Sequence, residues 1–394
     1  MNKIVLLLVM AVGMAPPVFA AKRVSVEQFE HLLAAAKGQS DGRVAGRLSG
    51  LELTERASSI RLARWEADFP GRRSREVLAR LADVSAFLDL PAADIPANPP
   101  PDTEAQMAIL DKAVDYVGKT ISKLPNFYAT RTTQHFEDNP PRETVVQPGT
   151  TAAGRGMSSG GAATMADVQS GSMLLHSTGT SSLTVSYRDG HELANAQRAE
   201  IGMRGRSAEG LTTAGEFGPI LAIILGDAKR SSLTWGHWEQ VANGQGADSF
   251  AAVFRYSVPQ GQSSYLVAMP RQDKLIDPVF PAYQGEIAID PANGDILRIT
   301  VVADLAPRYR RVIAEILVEY GAVQIGGKTY FCPVKGVAIS KMPPTTATGE
   351  PDLVSPVQTQ MNDVIFSDYH LFRAEARMVP VDGGNSDAAP AGTK

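Results

Sequence analysis

Cysteine is nearly absent: Cys332 is the only one in 394 residues, so no disulfide can form within the chain and the core must hold by packing. It sits in the apolar stretch TYFCPV, where a buried, inert thiol is expected rather than a nucleophile. A single thiol also argues against a structural zinc site. Positive charge is not in excess either. Lys and Arg number 38 against 42 Asp and Glu, the formal net charge is −4, and no basic stripe carries interleaved aromatics. Nucleic acid is therefore not an expected partner. The six histidines, His31, His135, His176, His191, His237 and His370, are scattered and none forms H-E-x-x-H. No metal site and no cofactor is expected. Beyond the first twenty residues there is no long apolar run, so no transmembrane segment is expected in the mature chain.

What is present begins with MNKIVLLLVMAVGMAPPVFAAKR. Lys3 supplies a positive start, Ile4 to Met14 an apolar core, and Val18-Phe19-Ala20 a small-x-small cleavage site. The apolar core is shorter than the about 20 residues a span needs. The expectation is a cleaved signal peptide over residues 1–20 and a periplasmic or secreted product.

Residues 21–90 read as helical. Phe29, Leu32 and Leu33 recur at helical spacing, as do Leu53, Ala57, Ile60 and Ala63, and then Val77, Leu78, Leu81, Val84 and Leu88. Either a hairpin of helices or a wrapping of the following domain would bury these stripes. PAADIPANPPPD, residues 91–102, is a proline-rich linker. A further helix from Thr103 to Ser122 carries Ala105, Ile109, Ala113, Val114 and Val117 along one side. From Asn126 the period changes to two, and FYATRTTQHFED reads as a strand. Residues 142–179, small, polar and rich in glycine, predict a flexible excursion.

Phe217 to Leu225 is apolar nearly all round, as in a buried helix, with Thr213 and Glu216 at capping-box spacing and Pro219 placing the regular start near Phe217. The rest, to about residue 380, reads as successive strands, with Gly326-Gly327 as a tight hairpin turn. The tail 381–394 is expected to be disordered. The fold class this predicts is α+β: an N-terminal helical region, then over residues 103–380 a helix, a run of antiparallel strands, a buried helix and more strands.

Candidate chemistry is sparse. In YQGEIAIDPANGDILRITVVADL, the centre Asp290-Pro291-Ala292-Asn293-Gly294 has the residues of a turn. A calcium loop would need a glutamate where Val301 stands, so a turn between strands is the reading. Gly156 to Gly160, GMSSG, matches G-x-S-x-G but lacks the strand that would deliver Ser158 onto a strained turn. In WGHW, alternation places Trp235 and His237 on one strand face and Trp238 on the other. Glu315 and Glu319 share a strand face with Ile313 and Leu317, and ion-paired or solvated carboxylates are the default for them. Asp368 in FSDYH reads as a turn, edge or hydrogen-bonding residue.

Residues 103–379, in the order helix, strands, buried helix, strands, resemble the lipoprotein-carrier superfamily of the LolA, LolB and RseB type. The pieces that carry the likeness are YQGEIAIDPANGDILRIT, VIFSDYHLFRAEARM and KTYFCP. The whole chain, including LELTERASSIRLARWEADFPG and LPNFYATRTTQHFED, also resembles secreted proteins of soil bacteria of the Acidobacteria type. The carrier resemblance implies that the antiparallel sheet of residues 103–380 is a curved half-barrel, half-open and lidded by helices over its concave side, with a cavity for acyl chains or a peptide.

The function expected from these readings is non-catalytic: extracytoplasmic binding of an apolar ligand, a lipid, an acyl chain or a lipoprotein. Trp235, Phe254, Tyr256, Tyr283, Ile299, Tyr330 and Phe366 are the candidate cavity or core residues. Two alternatives stand beside it. One is an interaction or sensing module with a periplasmic protein partner. The other is a hydrolase of unrecognised type, built on His237 or Asp368.

Overall fold

The computed structural model describes residues 21–119, 123–138, 175–194, 216–241, 249–270, 276–305, 312–343 and 357–372. The expected signal peptide, most of the excursion with Ser158, Thr213 and the tail fall outside these residues. Within them the chain is α+β, with six α-helices and an open antiparallel sheet of ten strands.

The N-terminal unit runs β1 (Lys22–Val24), α1 (Val26–Ala34), α2 (Asp41–Leu48), β2 (Leu51–Leu53), α3 (Ser59–Asp68) and α4 (Arg72–Ser85). Ser25 and Gln28 form a reciprocal capping box that starts α1. The start of α4 is capped from a distance: the Asp41 carboxylate accepts from the backbone N–H of Arg73 and Ser74. Phe29, Leu33, Val44, Leu48, Trp65 and Leu78 meet in one core. Two features depart from the all-helical reading. β1 and β2 pair in parallel, Val24 opposite Leu53. Leu53 therefore belongs to a strand, Ala63 is exposed, and the buried residue of α3 is Trp65.

After the proline-rich segment come α5 (Thr103–Lys119), β3 (Phe127–Glu137), β4 (His176–Arg188), β5 (His191–Ala194) and α6 (Pro219–Arg230). Pro219 occupies the first turn of α6, where its missing N–H costs nothing. Then follow β6 (Ser232–Gln240), β7 (Phe250–Val258), β8 (Val267–Pro270), β9 (Ile276–Val279), β10 (Ala282–Ile289), β11 (Ile296–Asp304), β12 (Ile313–Ile325), β13 (Lys328–Met342) and β14 (Gln358–Leu371). The sheet order is β5-β4-β3-β14-β13-β12-β11-β10-β7-β6, with β8 and β9 as a separate hairpin. β4 begins inside the stretch read as an excursion. The Gly326-Gly327 turn joins β12 to β13 as expected, both glycines at positive φ.

Two layers cover the sheet. On its inner face, Ile109 and Ala113 of α5 and Ile220, Leu221, Ile224 and Leu225 of α6 pack on the apolar side chains of β7, β10, β11 and β12. On its outer face lies the end of the N-terminal unit, where Ala86 joins Leu317, Val337, Ile339 and Met361. The linker passes between the layers at the β6 edge, where Trp238 Nε1 donates to the Pro99 carbonyl at 2.9 Å.

Candidate functional site

Alternation sends every second side chain of the strands inward. Phe254, Tyr256, Tyr283 and Ile299 are fully buried in the inner core beneath α5 and α6, and half-buried Trp235 packs against them. Trp235 meets Phe254 edge-on at 5.4 Å between centroids, and Tyr256 meets Tyr283 at 5.7 Å. The other two candidates lie elsewhere. Phe366 and Tyr330 belong to a second cluster with Phe127, Tyr187, Phe217 and Cys332. Burial pushes the Cys332 thiol up to about 12, which makes it inert.

The WGHW stretch does not alternate. The register slips between Trp235 and His237, so Gly236 is the extra residue of a bulge. A Cβ there would sit 2.9 Å from the Val253 carbonyl oxygen. The bulge puts Trp235 and Trp238 together on the inner face, 5.0 Å apart, and turns His237 and Glu239 outward.

A second irregularity lies at the centre of the floor. β10 and β11 pair on either side of Gly285-Glu286 but not across it. Side chains satisfy the backbone groups released there. Tyr256 donates its hydroxyl to the Thr300 carbonyl at 2.6 Å, and the Glu286 N–H donates to Thr300 Oγ1 at 2.9 Å. Gly285 is required for this approach, because a Cβ would fall 1.9 Å from the Thr300 carbonyl oxygen.

Nearby, α6 is tied to the floor by Asp227. Its carboxylate accepts from the Tyr283 hydroxyl at 2.8 Å, from the Ser264 N–H at 2.6 Å and from Arg230 Nη2 at 2.5 Å. Burial first, and then the Asp227 carboxylate, hold the Tyr283 phenol far above its ordinary value, so it remains a donor.

α5 is attached more lightly. Of its seventeen residues only Ile109 and Ala113 are fully buried, whereas α6 buries six of twelve. Its polar anchorage is the β10–β11 turn read from DPANGD. Lys112 Nζ donates to the carbonyls of Pro291 and Ala292 at 3.0 and 3.2 Å. Gly294, at φ +84°, lets the turn approach the Lys112 backbone. Beside this latch opens a groove of about 610 Å³ between α5, the turn and the β12–β13 hairpin. Tyr116, Tyr330 and Phe331 provide its aromatic lining, and Lys112, Lys119, Asp115 and Asp295 its charged rim. Of the expected cavity residues, Tyr330 alone lines it. Tyr116 and Phe331 were not among the expected residues, because nothing in the sequence sets them apart from the other aromatics of a helix and a strand.

The outer face holds two buried charge clusters. Arg56, from the N-terminal unit, donates to Glu239 at 3.0 Å and Glu286 at 3.2 Å. Arg298 grips Glu239 with two bonds of 2.7 and 2.8 Å. Burial opposes ionisation of Glu239, but Arg298 and Arg56 outweigh it and hold the carboxyl well below the usual range. His237 packs beside this cluster, its Nε2 3.7 Å from Glu239. In the second cluster Lys335 donates to Asp83 of α4 at 2.5 Å and lies 4.0 Å from Asp363. Glu315 and Glu319 share this face and are half-buried. Asp368 sits at a β14 irregularity with φ +51° and accepts from the Ser367 hydroxyl at 2.9 Å.

Comparison with protein-family models, curated proteins and solved structures finds no match to this chain. Among the described residues, no helix is long and apolar enough to cross a membrane.

Proposed function

We propose that the sheet domain is a half-barrel that binds an apolar ligand on its inner face, an acyl chain of a lipid or lipoprotein, beneath α5 acting as a lid. The observation that carries this reading is the unequal seating of the two helices. α6 is anchored by five fully buried apolar side chains and by Asp227, while α5 has two fully buried side chains, with Leu110, Tyr116 and Val117 packed beside them half-buried, and one lysine. Lifting α5 would uncover the part of the inner core on which Ile109 and Ala113 pack and extend the aromatic groove toward it. A ligand that replaced α5 there would gain about 25 cal/mol per Å² of apolar surface buried. The signal peptide expected from the sequence places such a ligand outside the cytoplasm.

The test is mass spectrometry of solvent extracts from the mature protein, purified natively from a secreting host, followed by titration with a fluorescent fatty acid. Tryptophan emission from Trp235 and Trp238 reports on the floor once Trp65 has been replaced by Phe. A stoichiometric apolar molecule, and probe binding that Phe331→Asp abolishes, support the carrier reading. A ligand-free protein that takes up no probe refutes it. The interaction module would then take its place, with Met107 and Val114, 60% and 38% exposed on α5, as the surface to examine.

A further inference from the structure

We infer that Ser181, His135 and Asn362 form a hydrolytic triad at the β4 end of the inner face, a site that goes beyond the ligand-binding reading and does not depend on it. The three residues stand on neighbouring strands. Asn362 of β14 and Gly179 of β4 lie directly opposite His135 of β3, and Ser181 lies two residues further along β4 on the same side. His135 Nε2 is 2.9 Å from Ser181 Oγ, and His135 Nδ1 is 2.8 Å from Asn362 Oδ1. An amide oxygen only accepts, so Nδ1 carries the ring proton and Nε2 presents its lone pair to the serine hydroxyl. That is the nucleophile–base–orienter order required for acyl transfer.

Burial is graded in the same order. Asn362 is 5% exposed, His135 is half-buried and Ser181 is open to solvent. The surroundings favour reaction at the sheet edge. β5 pairs only with Val185 to Arg188, so among the described residues no strand covers β4 from His176 to Thr184. The register passes from His135 opposite Gly179 to Phe136 opposite Ser177, which leaves Thr178 as a bulge on the same strand, just before Gly179. Backbone N–H groups of this bulged edge, which no described strand pairs, are the donors available to a developing oxyanion.

The strand around Ser181 is Ser-Thr-Gly-Thr-Ser-Ser, which among the described residues presents no apolar wall for a long chain, so the substrate class is an ester of a short carboxylic acid. Ser181 Oγ attacks the ester carbonyl carbon while its proton passes to His135 Nε2. The tetrahedral intermediate collapses, the carbon–oxygen bond to the alcohol breaks, and Nε2 returns the proton to the departing alkoxide. Water then attacks the acyl-serine with Nε2 again as base, releasing the acid and restoring the hydroxyl. Ser181 and His135 are catalytic residues; Asn362 is a positioning residue.

The experiment treats the full mature chain with a fluorophosphonate probe and with p-nitrophenyl acetate. The expected results are a covalent adduct mapped to Ser181 and hydrolysis that falls about 100-fold or more in Ser181→Ala and His135→Ala. Asn362→Asp should retain activity and move the rising limb of the pH–rate profile to higher pH, because a carboxylate favours the imidazolium. Ser181 is exposed, so its alanine variant should fold normally, which circular dichroism verifies. No adduct at Ser181, or equal hydrolysis by the wild type and Ser181→Ala, overturns the assignment. The retained ligand expected of the carrier reading is unaffected by either outcome.

Discussion

Replacing Asp83 by asparagine should flatten the pH dependence of stability. Asp83 lies at the junction of α4 with the outer face of the sheet, 5% exposed, with Lys335 donating to Oδ1 at 2.5 Å and, among the described residues, no donor at Oδ2. The charges around it are Lys335 and Asp363 of β13 and β14 and Glu319 of β12. Burial is the largest influence and raises the carboxyl; Lys335 opposes it; Asp363 and Glu319 add repulsion, and the result is a carboxyl pushed up from 3.8 to about 7. Lys335 is itself held charged by the same three carboxylates. The two tendencies agree: one cation among three acids stays charged, and one acid keeps its proton.

The folded state thus binds the Asp83 proton more tightly than the unfolded chain. Its contribution to stability is complete below about pH 4 and is lost as pH rises through about 7. A rise of that size corresponds to about 4 kcal/mol at most, a large part of the roughly 5–15 kcal/mol that holds a domain folded. The amide introduced by Asp83→Asn would keep an acceptor for Lys335 and bind no proton. Urea denaturation, followed by tryptophan fluorescence at intervals from about pH 4.5 to 8, measures the difference between variant and wild type. That difference should move in favour of the variant by about 2–4 kcal/mol as pH rises, the range allowing for a proton shared with Asp363. Parallel curves would refute the reasoning.

Two further substitutions probe the floor and the other charge cluster. Gly285→Ala drives a methyl group against the Thr300 carbonyl and breaks the Tyr256 and Glu286 hydrogen bonds made there; a loss of about 2–4 kcal/mol in urea denaturation is expected, and less than about 1 would show that the gap in the ladder is not needed. Glu239→Gln leaves Arg56 and Arg298 buried with Glu286 as their remaining shared carboxylate, so a loss of about 3–5 kcal/mol at pH 7 is expected in the same assay, shrinking at acid pH as the wild-type carboxyl gains its proton.

Much of the fold was legible where local chemistry and tertiary packing agree. The all-round apolar stretch after Phe217 became the buried helix α6, the change of period after Asn126 became β3, and DPANGD became a turn. The failures have a common cause, which is information that only the third dimension supplies. Leu51 to Leu53 is too short to show a strand period inside a helical region, yet it pairs with Lys22 to Val24. Gly236 gives no sign of being a bulge, and the slip of one residue moves Trp238 to the inner face and His237 to the outer. Arg56 and Glu239 are ordinary charged residues in sequence and become a buried pair only when the N-terminal unit docks. His135, Ser181 and Asn362 come from three strands that the sequence keeps far apart, so no motif spacing could have joined them.

The two faces of the sheet are secured by different physics, and this bears on where motion can occur. Buried ion pairs contribute little net stability compared with apolar groups of the same shape, because both partners give up their water. They are nevertheless intolerant of displacement, since a shifted partner leaves an uncompensated charge behind. Arg56 bridging Glu239 and Glu286, and Lys335 beneath Asp83, meet this description at separate points of the outer interface. We attribute to them the fixing of one docking position for the N-terminal unit, which then serves as a brace for β6, β10, β11 and β13. On the inner face, α5 has no buried ion pair among the described residues; Lys112 reaches two carbonyl groups at the surface and can exchange them for water at small cost. The rearrangement proposed for ligand entry would therefore proceed most easily by moving α5 over a sheet held rigid from behind.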